Sequence, residues 1–131
     1  MILVDSGVWI AYFRGTPNQH TDKLDALLGA EPLGTFDIAL TEVLQGFTAP
    51  RAFAQALRLM TSLAIVEIGG RDIAIQAARN YRTLRARGVT VLKTIDNLIA
   101  TRCIQDGHAL LFNDHDFDPF VIHLGLKSAL S

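Results

Sequence analysis

Cysteine is almost missing from this chain: Cys103 is the single thiol in 131 residues, so no intrachain disulfide can form and a disulfide-built secreted scaffold is excluded. Charge of one sign is missing too. Twelve Lys and Arg stand against thirteen Asp and Glu, a formal net charge of −1, so no overall positive field draws in nucleic acid. A polyanionic partner would have to be held locally or through cations. No apolar run approaches the roughly 18 residues that a membrane span requires. The opening Met-Ile-Leu-Val-Asp has neither a basic segment nor a long apolar one behind it, from which a cytoplasmic protein is expected. Internal repeats, low-complexity tracts and Ser/Gly linkers are lacking as well.

What the chain does have is apolar material. Half of its residues are hydrophobic and 19% are charged, a balance that buries a core and excludes a disordered tail. At this length a single domain over residues 1–131 is expected.

Short apolar runs at Ile2 to Val4, Leu33 to Phe36, Leu63 to Ile68 and Ala109 to Phe112 are expected to be strands. Helical patterns fall between them, at Val8 to Arg14, Thr21 to Leu28, Ile38 to Phe47, Ala52 to Met60, Asp72 to Arg87 and Ile95 to Gln105. Prolines and glycines punctuate the series. Continuous apolar strands alternating with helices are the pattern of an α/β domain with a parallel sheet, whose ligands gather beyond the carboxyl ends of the strands. The residues that follow the first and last of these strands are Asp5-Ser6 and Asn113-Asp114-His115-Asp116-Phe117-Asp118. Both strands hand over to carboxylates.

Asp5 could cap the helix behind it, but Ser6 could fill that place and leave Asp5 facing the ligand edge. Asp96 sits in the first turn of a helix that Thr94 is expected to cap, where the dipole favours an anion. Stepping 100° per residue nevertheless puts Asp96 on the side of Ile99, Ala100 and Cys103, and a carboxylate aimed at a packed face needs a cation or several donors. Glu42 falls beside Ile38 and Gly46, away from Leu40, Val43, Leu44 and Phe47, so periodicity alone makes it solvated surface. The stretch NDHDFDPF carries three carboxylates in five residues. Turns favour such residues, yet mutual repulsion of close carboxylates is also what a divalent cation relieves. Oxygen donors indicate Mg²⁺ or Mn²⁺ over zinc.

Other chemistries lack their residues. There is no P-loop, no GxGxxG after a strand, no HExxH and no Gly-x-Ser-x-Gly elbow. Cys103 lies mid-helix among apolar residues and is expected in the core. Of four scattered histidines, His115 alone is placed to touch a substrate.

The segments ILVDSGVWIAYF, ALTEVLQGF, KTIDNLIAT and LLFNDHDFDPF with HLGL, in this order and spacing, resemble the PIN-domain nucleases, and within them the VapC-type toxins of bacterial toxin–antitoxin pairs. The likeness covers nearly the whole chain. It implies a PIN-like three-layer α/β/α domain with a central parallel sheet, and a magnesium- or manganese-dependent endoribonuclease cleaving RNA with a metal-activated water at an acidic cleft. Its acidic residues map onto Asp5, Glu42, Asp96 and Asp114, with Asp116 as a fifth; Asp5 and Asp96 are expected to bind the first ion directly, and Glu42, Asp114 and Asp116 to hold its waters or a second ion. Ser6 and Thr94 match positions that support or orient the carboxylates. His115 departs from the Arg of many relatives. The likeness also implies a cognate VapB-type antitoxin and a toxin homodimer. RNA affinity is expected from local basic groups, Arg14, Arg82 and Arg85 among them, with Arg79, Arg87, Lys93 and Arg102 further candidates. The rival readings are a receiver-like phosphoacceptor domain and a PIN fold kept only for RNA binding.

Overall fold

A computed structural model describes residues 1–130. Five strands form its sheet: β1 (Ile2–Val4), β2 (Leu33–Phe36), β3 (Ala64–Val66), β4 (Ala109–Leu111) and β5 (Lys127–Ser128). Seven helices connect them: α1 (Ser6–Phe13), α2 (Gln19–Leu27), α3 (Asp37–Leu44), α4 (Pro50–Thr61), α5 (Arg71–Ala86), α6 (Thr94–Asp106) and α7 (Asp118–Leu124). A short 3₁₀ turn, His115–Phe117, leads into α7. The strands lie in the order β3-β2-β1-β4-β5, and every pair is parallel.

Alternation along the central strands produces the layers. Leu3 of β1 and Leu110 of β4 enter one cluster with Leu84, Ile99, Ala100, Cys103 and Phe120, from α5, α6 and α7. Their neighbours Val4 and Leu111 enter the opposite cluster with Val8, Trp9, Leu24 and Met60, from α1, α2 and α4. This is the expected α/β/α sandwich. Cys103 is fully buried, and its surroundings push the thiol up to about 12, so it is packing and not a nucleophile.

The strand predicted at Leu63 to Ile68 is shorter than its apolar run, Ala64–Val66, and lies at the sheet edge. Side chains replace the ladder beyond Val66. The Arg102 Nε donates to the Glu67 carbonyl at 2.9 Å, and the Ile68 N–H donates to Asp37 Oδ1 at 3.2 Å. Two elements, α7 and β5, have no signature in the sequence pattern. Seven and two residues are too short to display a period, and β5 exists by pairing with Ala109 and Leu110. Among the described residues, no helix is long and apolar enough to cross a membrane.

Chain order makes β1 the point of reversal. From it the chain runs outward to β2 and β3, then returns to place β4 on its other side. A crevice opens at the carboxyl ends of β1 and β4, where such a sheet binds ligands.

Candidate functional site

Asp5 reaches this crevice because the β1–β4 pairing continues one residue further, its N–H donating to the Leu111 carbonyl at 3.0 Å. Asp5 is itself the N-cap residue of α1 in extended conformation, and Ser6 is the first helical residue; neither side chain caps. The carboxylate is therefore left facing the cleft, as expected, although by a different route from capping by Ser6.

Asp96 arrives on the first turn of α6. Thr94 does not cap this helix: Lys93 is the N-cap residue, no side-chain cap bond forms, and Thr94 lies exposed as the first helical residue. A polar network fixes the helix instead. Asn97 Nδ2 donates to the Ala77 carbonyl at 2.9 Å, Thr101 Oγ1 to Asn97 Oδ1 at 3.2 Å, and Asn80 Nδ2 to Thr101 Oγ1 at 3.0 Å. All three side chains are buried, so α5 and α6 are tied together beside the acid.

Asp114 and Asp116 come from the turn after β4. The Asp116 N–H donates to Asp114 Oδ1 at 2.9 Å, while the other oxygen, Asp114 Oδ2, accepts from Lys93 Nζ at 3.0 Å. Glu42, on α3, is half-buried and lines the cleft, so the solvated position inferred from periodicity is corrected: the side of α3 away from Val43 faces the crevice and not bulk water. The cleft measures about 340 Å³ and is lined by Asp5, Ser6, Gly7, Glu42, Ile95, Asp96, Asn113 and Asp114.

Carboxylate oxygens of Asp96, Asp114 and Asp116 lie within 4.8 Å of one another. Asp5 and Glu42 face the same cleft outside that triplet. Burial first, and the nearby Asp96 and Glu42 charges next, push Asp5 up to about 7 against the pull of the Ser6 and Gly7 backbone amides. Burial first, and Asp114, Asp116 and Glu42 next, raise Asp96 to about 6 in spite of Lys93. Asp114 goes the other way: burial would raise it, but the Asp116 amide and the Lys93 ammonium hold it below the usual carboxylate range. Asp96 Oδ2 is buried and has no hydrogen-bond partner, a costly state for a carboxylate oxygen. An all-oxygen donor set with one buried oxygen unmatched fits a hard divalent cation.

Lys93 is expected among the basic groups for RNA. Its Nζ instead stands 3.0 Å from Asp114 Oδ2 and 3.2 Å from Asp116 Oδ2. The spacing to Asp96, three residues along the start of a helix, was the signal that would have found it. Asn113 was also missed; it lines the cleft directly after β4.

The other expected RNA contacts are dispersed. Arg14 lines a separate groove with Ile10, Phe13 and Phe47, in which Glu42 is the shared wall. Arg82 and Arg85 are exposed on α5, and Arg85 is bonded to Thr90 Oγ1 at 3.0 Å; among the described residues, neither lines the cleft. His115 is exposed beside the cleft, its Nδ1 2.9 Å from Asp118 Oδ2. Arg102 is engaged with the Glu67 and Gly69 carbonyls.

A family profile for the PIN domain matches residues 2–120. Ribonuclease VapC11 of Mycobacterium tuberculosis is 29% identical over 131 residues, 98% of each chain. Among solved structures, a toxin–antitoxin complex from Klebsiella pneumoniae superposes with a TM-score of 0.72 at 18% identity, covering 98% of this chain and 97% of that one. The VapBC2 complex of Rickettsia felis bound to a promoter DNA fragment gives 0.71 at 18% identity, with the same coverage.

Proposed function

Since this chain belongs to the PIN-domain family, we propose that it is a divalent-metal-dependent endoribonuclease of the VapC type, the toxin of a type II toxin–antitoxin pair acting in the cytoplasm. The observation that carries this reading is the convergence of Asp5, Glu42, Asp96 and Asp114 on one cleft at the switch point of the sheet, with Asp116 against Asp96 and Asp114. Charge balance supports it. A cleft of five acids in a chain of net charge −1 repels a phosphodiester, so RNA enters only together with a cation.

Asp96, Asp114 and Asp116 would hold Mg²⁺ or Mn²⁺, with Asp5 and Glu42 binding its waters or a second ion. When bound, such an ion acidifies water and neutralises charge developing on phosphate. The chain's own work is positional. The Asn80–Thr101–Asn97 network fixes the turn of α6 that carries Asp96, and the Asp116 amide fixes Asp114. Ser6 lines the cleft next to Asp5 and holds its carboxylate through the backbone amide, whereas Thr94, exposed and without a cap bond, is left without a part in holding α6. Rim contacts to RNA fall to Arg14 and His115, with Arg82 and Arg85 more distant.

Replacing Asp96 by Asn keeps the shape and removes the charge. Cleavage of RNA in Mn²⁺ is expected to fall by about a hundredfold or more, with the circular dichroism unchanged. Undiminished cleavage by the folded variant would end the assignment.

A further inference from the structure

The Lys93 ammonium stands between the carboxylates that the proposed function assigns to a divalent cation. Its Nζ is 3.0 Å from Asp114 Oδ2, 3.2 Å from Asp116 Oδ2 and 4.0 Å from Asp96 Oδ2. These are the three residues whose oxygens gather within 4.8 Å. An ammonium has three donors. Two are in hydrogen-bond range of their acceptors, while 4.0 Å is too long for a bond, and Asp96 Oδ2 is accordingly the buried oxygen with no partner. The lysine thus neutralises the cluster without completing it. Its side chain is 56% exposed, so the stem is free to swing outward without disturbing the core.

We propose that Lys93 is a built-in counter-ion of the cation-free protein, a tethered ammonium that holds Asp114 and Asp116 together and is exchanged for the divalent cation. The inference rests on reading the acidic cluster as a divalent-cation site. Exchange is favourable because a doubly charged ion reaches all three carboxylates, Asp96 Oδ2 included, whereas the ammonium reaches two. The same competition weakens cation binding, since the ion must displace a bonded group of like sign. Lys93 is in this sense a regulator of loading and not a catalytic residue.

The test compares the full-length chain with Lys93→Met, which keeps the length of the stem and removes the charge. In EDTA the variant is expected to melt lower, because three carboxylates lose their counter-ion. Its affinity for Mn²⁺, measured by the loss of the free-ion electron paramagnetic resonance signal, is expected to rise by about three- to tenfold, the range for an exposed but doubly bonded ion pair. Removal of a remote positive charge would also raise that affinity, so a direct readout separates the two. The hydrogen-bonded ¹⁵Nζ resonance of Lys93, present in EDTA, is expected to shift toward a solvated ammonium as Mg²⁺ is added. An unmoved resonance with equal melting in EDTA overturns the role of Lys93 while leaving the site. Failure of both proteins to bind Mn²⁺ overturns the site and the role together.

Discussion

Asp5 shows how one residue can oppose the fold that holds it. It is 8% exposed, and burial beside Asp96 and Glu42 raises it to about 7 from a normal value of 3.8. A carboxyl whose folded pKa lies above its unfolded one contributes stability that is complete below about 4 and lost as pH rises through 7. Asp96, raised to about 6, has the same sign. In EDTA, Asp5→Asn is therefore expected to melt above the unsubstituted chain at pH 8, by several degrees, and close to it at pH 4.5; parallel melting curves at both pH values would refute this. Millimolar Mg²⁺ is expected to reverse the order, since only the unsubstituted chain keeps the full donor set. The five acids were legible from residue types and the four resembling segments. Lys93 was legible only in part: its i,i+3 spacing to Asp96 is local, but its bonded partners Asp114 and Asp116 return from 21 and 23 residues away, which no local pattern carries.

At the scale of elements, the polar network and the close strand packing position the site. Gly34 of β2 lies opposite Leu3 of β1 and Ala64 of β3. A Cβ placed there would sit 2.8 Å from Leu3 Cδ2 and 2.9 Å from the Ala64 carbonyl oxygen. The backbone oxygen cannot step aside, so Gly34→Ala is expected to destabilise by about 1–3 kcal/mol in urea unfolding, chiefly by prising β3 from the sheet. The long elements were readable because their apolar spacing is sustained; α5 and α6 are within one or two residues of expectation. The helix starts were less readable. Thr94 and Ser6 have capping chemistry but occupy the first helical position, since β1 and the loop to Lys93 deliver the chain one residue earlier than a side-chain cap requires. Beyond Val66 the edge strand ends because Arg102 and Asp37 take its backbone groups, a tertiary effect with no local signature.

For the molecule as a whole, charge is the controlling quantity. With a net charge of −1 and basic residues dispersed over several faces, few phosphates are neutralised by side chains. Binding of single-stranded RNA to Asp5→Asn, followed by fluorescence anisotropy, is expected to weaken with salt with a log–log slope no steeper than about −2, corresponding to two or three phosphates. A slope of about −5 would reveal a basic track that this surface does not display. In gel filtration the chain is expected as a homodimer, and as a larger complex with a VapB-type antitoxin; a strict monomer that ignores that partner would count against the toxin assignment. The exposed Phe53 and Leu57 of α4 supply apolar area for such contacts.

The strand order has one more consequence, for synthesis. β1 is made well before its partner β4, with β2 and β3 between them in the chain, and the cleft lies between β1 and β4. A nascent chain ending near residue 90 carries Asp5 and Glu42 and lacks Asp96, Asp114 and Asp116. The acidic cluster of Asp96, Asp114 and Asp116 therefore cannot assemble until the chain has been made through Asp116, long after Asp5 and Glu42.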